Sequence, residues 1–341
     1  MEIMMVKNGE TPEIDIVIPW VDGSDPQWQK SMQAYSGQPE GDSRSIRYRD
    51  WGLLKYVFRG IEQNLPWIRK VHFITVGHLP KWLNLECPKL HIVKHSDYIP
   101  EQWLPTFSSH PIELNIHRIA GLSERFIYLN DDMFFLKPMK PEDFFVKNKP
   151  KSQAGLDVIG EYEAIFSGVL YADREAINYH FLSRKVIINN FTKFVNLHYG
   201  FKANIKTLFL TIWCYGFFPG FPLYHGPNAF LKSTFEEVWK EEEAILSEVS
   251  SHKFRTSEDV NQYLMLWWQW CEGNFKPAGV QKKLKFFSVS APTEDITKYI
   301  KQPACPMLCI NDGATDEYEA KKAAIIDAFD SLFCEKSEFE L

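Results

Sequence analysis

Apolar and polar positions follow two different periods along the first half of the chain. The run IDIVIPWV, residues 14 to 21, is apolar at nearly every position and rich in β-branched side chains, which predicts a buried strand closed by the turn cluster DGSDP. WGLLKYVFRGIEQN, 51 to 64, spaces its apolar residues by three and four instead, which predicts a helix that stops before Pro66. KVHFITV (70 to 76), LHIVKH (90 to 95) and RFIYLN (125 to 130) return to strand-like runs. Strands alternating with helical stretches predict an α/β fold around a largely parallel sheet. Ligands in such sheets gather beyond the carboxyl ends of the strands, and the acidic clusters VDGSD and NDD both fall at such ends.

From about residue 151 the texture changes. No Asp or Glu occurs between Glu175 and Glu236, whereas Arg184, Lys185, Lys193, Lys202, Lys206 and Lys232 stand among many aromatics. Within that stretch TLFLTIWCYGFFPGFPLY, 207 to 224, carries no charge, but Gly216, Pro219, Gly220 and Pro222 interrupt any helix long enough to span a bilayer. Two readings fit it: a buried or groove-lining segment, or a surface resting on anionic lipid or a lipid-linked acceptor. EDVNQYLMLWWQWCEG is apolar on most sides and predicts a helix buried against the sheet. The chain therefore reads as one catalytic domain over 1–341, with an α/β part at 14–150, a helical and aromatic part at 151–275, and a C-terminal part at 276–341 packing back on the core.

Composition narrows the function. A chain of 341 residues with 45% hydrophobic content can bury a sizeable core. Its net charge of −6 argues against a general nucleic-acid binder. The first twenty residues hold no secretory apolar run, which predicts a cytoplasmic location, at the inner face of the membrane if the basic aromatic segment touches lipid. The six cysteines are scattered, predicting free thiols, and the close pair Cys305 and Cys309 has no second Cys or His pair nearby to complete a zinc site.

The candidate chemistry sits at the acidic clusters. Asp131 and Asp132, preceded by Asn130, repel each other and persist most readily where a divalent cation or a proton reconciles them; a capped turn is the plainer account. Hard cations take carboxylate oxygens and share their shell with phosphates, and one aspartate could instead accept a proton from an attacking hydroxyl. In WVDGSDP, Asp22 and Asp25 flank Gly23 after Val21 in a tight loop able to bond a ribose or base, with Trp20 able to pack against a ring. Arg47, Arg49 and Asp50 add a cationic fork suited to phosphate. His225 and Arg255 follow in LYHGP and HKFRTSEDV, where Glu258 and Asp259 read equally as decoration of a helix start.

Taken together these segments have a precedent. IDIVIPWVDGSDPQW and RYRDWGLLKYVFRGIEQNLPWIRKVHFITVGHLPKWLN with LPTFSSHPIELNIHRIAGLSERFIYLNDDMFF closely resemble the first two conserved blocks of the Stealth family of sugar-1-phosphate transferases. LYHGPNAF through HKFRTSEDVNQYL resembles the third block, and CINDG with SLFCEKSEFEL the fourth. The resemblance implies a GT-A-like nucleotide-sugar transferase core with a largely helical, aromatic-rich insertion, and a divalent cofactor, Mg²⁺ or Mn²⁺. It also implies transfer of hexose-1-phosphate from a UDP-sugar donor to a hydroxyl of an oligo- or polysaccharide acceptor, lipid-linked or free.

By the same resemblance Asp131, Asp132, His225 and Arg255 are catalytic, and Asp131, Asp132, Asn311 and Asp312 hold the metal. Trp20, Val21, Asp22, Gly23, Asp25, Arg47, Arg49, Asp50 and Asn130 bind the nucleotide-sugar, and Glu258 and Asp259 complete the third block. One position departs from the family pattern: Asn228, in HGPN, stands where a second histidine can occur.

Overall fold

A computed structural model of the chain describes residues 13–35 and 48–341, leaving aside 161, 215, 314 and 316. The strands are β1 (Ile14–Pro19), β2 (Val71–Thr75), β3 (Leu90–Lys94), β4 (Arg125–Tyr128), β5 (Met133–Phe135), β6 (Phe145–Val146), β7 (Lys149–Ser152), β8 (Asn228–Leu231), β9 (Lys276–Pro277), β10 (Leu284–Ser288) and β11 (Met307–Asn311). The helices are α1 (Pro26–Tyr35), α2 (Leu54–Asn64), α3 (His95–Tyr98), α4 (Ser109–Leu114), α5 (Ala164–His180), α6 (Ser183–Asn189) and α7 (Phe191–Phe194). After them come α8 (Phe201–Trp213), α9 (Lys232–Glu241), α10 (Glu243–Ser251), α11 (Gln262–Cys271), α12 (Thr293–Lys301) and α13 (Tyr318–Leu332).

The main sheet has five strands in the order β3-β2-β1-β4-β8, and only β8 runs antiparallel. The fold is thus α/β with a mostly parallel sheet. Helices cover both of its faces, which is why its strands are near-continuous apolar runs. Along β1, Ile14, Ile16 and Ile18 enter one core with α2, α12 and α13, while Val17 enters the other with α4, α5 and α9–α11. Asp15 is the exception within that strand. Fully buried, it accepts bonds from Arg69 Nε at 2.9 Å and from the Ser123 amide at 2.8 Å, and it lies 2.9 Å from His72 Nε2.

A second sheet, β10-β11-β5, grows directly from the first: β5 follows β4 after one tight turn and pairs antiparallel with β11. The predicted helix at 51–64 begins only at Leu54, because Gly52 takes φ +67, a left-handed conformation that a helix does not continue through. α2 lies so close to β5 that a Cβ on Gly60 would stand 2.7 Å from the Phe135 carbonyl oxygen. α11 has all ten residues buried, and its Gln269 reaches the outer strand, with Oε1 accepting from the Leu231 amide at 3.2 Å. The Asn261 side chain caps this helix, accepting from the Tyr263 amide at 2.8 Å.

Candidate active site

The carboxyl edge of the parallel sheet gathers the acidic clusters. Beyond β1, Asp22 Oδ1 accepts from the Ser24 amide at 2.8 Å and from its hydroxyl at 2.6 Å, while Asp25 Oδ1 accepts from the Trp28 amide at 2.7 Å and so caps α1. The Asp22 amide in turn donates to His78 Nε2 at 2.7 Å. Burial keeps that imidazole below its ordinary pKa, against the pull of Asp25 and Asp22. Trp20 is only 9% exposed and stacks on Phe73 with centroids 5.6 Å apart, so its ring supports the loop from within the core rather than facing a ligand. Gly23 meets the next segment: a Cβ there would lie 2.0 Å from the Tyr48 carbonyl oxygen, so only glycine permits the approach. Val21 packs beside Tyr48 in a small cluster around Trp28, Phe107 and Phe254.

Beside Tyr48 stand Arg49 and Asp50, and Arg47 lies outside the described residues. The Arg49 guanidinium grips Asp312 with two nitrogens, Nε at 3.0 Å from Oδ2 and Nη2 on Oδ1, and donates to the Gly313 carbonyl at 2.7 Å. It lies over the Tyr318 ring at 4.7 Å. Asp50 faces solvent, and its carbonyl accepts from Lys322 Nζ at 2.8 Å.

The centre is the turn between β4 and β5. The Met133 amide donates to the Asn130 carbonyl at 3.3 Å, which leaves Asp131 and Asp132 projecting from the turn. Asp132 Oδ2 lies 3.2 Å from His225 Nε2 and 3.5 Å from Cys309 Sγ, while its Oδ1 is buried without a hydrogen-bond partner among the described residues. One ligand atom from each of Asp132, His225 and Cys309 falls within 4.8 Å of the others. The Asp132 carbonyl accepts from the Ile310 amide at 3.0 Å, which fixes the second sheet against this turn and brings Asn311 and Asp312 to its flank.

The electrostatics follow from this crowding. Close protein walls, then the carboxylates of Asp132, Asp50 and Asp312, push Asp131 up to about 7, although one side of its side chain is open to water that screens part of both effects. Burial works to lower the His225 pKa, but the charge and hydrogen bond of Asp132 hold it above the ordinary value. Burial, then Asp132 and Asp131, drive the Cys309 thiol far up, so it stays protonated and acts as a weak donor toward Asp132. A carboxylate oxygen with no donor, amid further carboxylates and no thiolate, fits a hard cation better than a soft one.

The opposite wall comes from the segment before α11. Arg255 Nη2 donates to the Ser109 hydroxyl at 2.8 Å, at the start of α4, and its charge is felt at Tyr128. The Tyr128 hydroxyl lies 2.8 Å from Asn130 Oδ1 and 3.1 Å from Glu113 Oε1, with one proton to share. Asp259 proves to be no surface decoration: fully buried, it lies 2.7 Å from both His110 Nδ1 and His252 Nδ1 and accepts from the Thr256 hydroxyl at 2.7 Å. Burial alone would raise its pKa, but the bonds from His110 and His252 hold it well below the usual carboxylate range. It locks the Arg255 segment onto α4. Glu258 is exposed, and its amide donates to the Thr256 hydroxyl at 3.3 Å.

The fold thus brings Asp131, Asp132 and His225 together with Arg49 and Asp312, and sets Arg255 near Asn130 through Tyr128. Sequence reasoning missed Cys309, Glu113 and His78. For Cys309 the available signal was the strand pattern MLCIN running into Asp312; for Glu113 it was a lone acid within the apolar stretch HPIELN.

Comparison with known proteins places the whole. Among solved structures, that of galactosyltransferase LgtC in complex with donor and acceptor sugar analogs aligns over 92% of this chain and 95% of its own, at 11% identity and a TM-score of 0.37, too loosely to bear on function. Residues 12–40 match Stealth protein CR1, conserved region 1, and residues 47–153 match Stealth protein CR2, conserved region 2. The capsular polysaccharide phosphotransferase WcwK of Streptococcus pneumoniae is 37% identical over 339 residues, 98% of this chain and 99% of that protein. The receptor polysaccharide phosphotransferase WefC of Streptococcus gordonii is 37% identical over 338 residues, 96% and 99% of the two chains. The exopolysaccharide phosphotransferase cps2G of Lactiplantibacillus plantarum is 34% identical over 336 residues, 96% of each. With two conserved regions in place and such identity across nearly the full length of these relatives, the chain belongs to the Stealth family.

Proposed function

We propose that this protein transfers hexose-1-phosphate, with N-acetylglucosamine-1-phosphate the first candidate, from a UDP-sugar to a hydroxyl of an acceptor glycan in capsule or exopolysaccharide synthesis, releasing UMP. The observation that carries this reading is Asp132, with one oxygen shared between His225 and Cys309 and the other buried without a partner, in a ring of carboxylates. Relatives named polysaccharide phosphotransferases support it.

Asp132 through Oδ1, with Asp131, Asp312 and Asn311, would hold Mg²⁺ or Mn²⁺. When bound, that ion supplies charge neutralisation for a pyrophosphate. The loop from Val21 to Asp25, which follows the neighbouring strand β1, would take the nucleoside, and Arg49 and Arg255 would offer guanidinium groups to phosphate oxygens. The acceptor oxygen attacks the β-phosphorus, the bond from that phosphorus to the bridging oxygen breaks, and UMP departs with it. The proton of the acceptor hydroxyl passes to His225 Nδ1, the ring nitrogen turned away from Asp132, while Nε2–H donates to Asp132 Oδ2, which raises the basicity of the ring and orients it. Transfer of this kind depends on positioning and charge more than on covalent help. The bond at the anomeric carbon is never touched, so the sugar keeps its configuration.

The released nucleotide tests the proposal. Incubation with UDP-N-acetylglucosamine, acceptor glycan and Mg²⁺ yields UMP and a phosphodiester signal in phosphorus NMR. Release of UDP instead would mean ordinary glycosyl transfer and would overturn it.

A further inference from the structure

Helix α8 is inside out for a helix on a water-facing surface. Its apolar residues Phe201, Ile205, Leu208, Phe209, Ile212 and Trp213 recur at the helical period, as in any amphipathic helix, yet all six are exposed. Phe201 is 79% exposed, Ile212 70% and Trp213 71%, while the opposite face, with Thr207 and Leu210, is the buried one. The Phe209 and Trp213 rings stack on each other at 5.6 Å, which fixes them as a ledge pointing away from the protein.

The face continues beyond α8. The Ser183 amide donates to the Gly216 carbonyl at 2.8 Å, tying the start of α6 to the end of α8, and the neighbours of that bond on either side, Leu182 and Phe217, are exposed at 61% and 62%. Farther along, Ile188 and Phe191 are exposed as well. A contiguous apolar surface of this kind marks an interaction site.

Its charge selects the occupant. Lys202 and Lys206 flank the stripe on α8 and Lys185 lies exposed on α6, with no acidic residue anywhere from 176 to 235. Asp157 pairs with Lys206. A second copy meeting this face would set lysine against lysine, whereas a bilayer with anionic headgroups offers acyl chains to the stripe and phosphates to its flanks. No helix among the described residues is long and apolar enough to cross a membrane, so the contact would lie along the surface. We propose that the face formed by α8 and the start of α6 docks this protein on an anionic lipid surface. Phe217 precedes His225 by eight residues, which bounds their separation at about 29 Å, so docking would keep the catalytic cleft within that reach of the headgroups, where a lipid-linked acceptor would be presented. That last consequence rests on the function proposed above; the docking itself does not.

Vesicle sedimentation of the full chain tests it, using phosphatidylcholine alone or with about a third phosphatidylglycerol at about 0.1 M salt. Two variants are compared: Phe209→Gln with Ile212→Gln and Trp213→Gln, and Lys185→Glu with Lys202→Glu. The expected result is binding to the anionic vesicles about tenfold above the neutral ones, reduced about tenfold in each variant, with circular dichroism and turnover of a soluble acceptor unchanged. Brominated acyl chains should quench wild-type tryptophan fluorescence more than that of Trp213→Phe. Failure to bind anionic vesicles overturns the proposal, as does equal binding by the variants. A wild-type dimer in sedimentation velocity that the glutamine variant dissolves would also overturn it, making the face a self-association surface. Because vesicle sedimentation and fluorescence quenching need no donor substrate, they succeed or fail independently of which nucleotide the enzyme releases.

Discussion

Asp132 concentrates the chemistry because its two oxygens have different surroundings, one bonded and one not. Replacing it by Asn keeps the shape but removes the charge that a cation and the imidazolium both need. Asp132→Asn is expected to lower kcat/KM by about 10²-fold or more while leaving the thermal midpoint within a few degrees; near-normal turnover would remove Asp132 from the mechanism. Asp15 offers the contrasting case of a buried carboxylate with a purely structural role. Burial alone would raise its pKa, but bonds from His72 and Arg69 and from the Ser123 amide lower it below the usual value. A depressed carboxylate adds stability that is present above the unfolded pKa, about 3.9, and is lost as pH falls through the lower folded value. Urea midpoints measured across that acid range should therefore fall for the wild type. Asp15→Asn should start about 3 kcal/mol lower near neutrality and lose that part of the pH slope.

At the level of elements, the site depends on close backbone approaches that tolerate no extra atom. α5 carries Gly168 against the segment that bears Arg255, and a Cβ there would stand 2.4 Å from the Ser257 carbonyl oxygen. Gly168→Ala is expected to cost about 1–3 kcal/mol in denaturant and to depress turnover through a displaced Arg255, without changing the metal requirement. At the other end of the chain, Arg59 on α2 binds Glu340 through two nitrogens, at 2.7 and 2.6 Å, and the Phe333 carbonyl at 2.8 Å. Arg59→Leu leaves the largely buried Glu340 carboxylate without a cation, held only by the amide and hydroxyl of Ser337 among the described residues, and should destabilise by about 3 kcal/mol, read from the urea midpoint.

At the scale of the whole molecule, the site is built where two of its sheets meet at one turn. The parallel sheet delivers the β1 loop and the Asp131–Asp132 turn to one edge, and the β10-β11-β5 sheet, held to Asp132 by the Ile310 amide, carries Cys309 and Asp312 to the same place. Chelation is expected to stop the reaction and Mg²⁺ or Mn²⁺ to restore it, measured by nucleotide release; full activity in chelator would exclude the cation from the cluster.

Local pattern was enough for the elements that explain themselves. The strands at 14, 71, 90 and 125, the buried helix before Cys271, and the acidic turns at strand ends all follow from periodicity and turn chemistry within a dozen residues. The lone pairs of those turns were legible too, but their use was not. Asp22 and Asp25 spend an oxygen each on their own loop, whereas Asp132 keeps one free, and only the packing around each decides that. Cys309 beside Asp132, Arg49 on Asp312 and His110 on Asp259 join residues more than a hundred positions apart, and no local rule encodes such meetings. The orientation of α8 is of the same kind: its sequence set an apolar stripe, and the side on which neighbouring helices bury it was settled by the tertiary structure alone, because a helical period carries no record of which face meets the core.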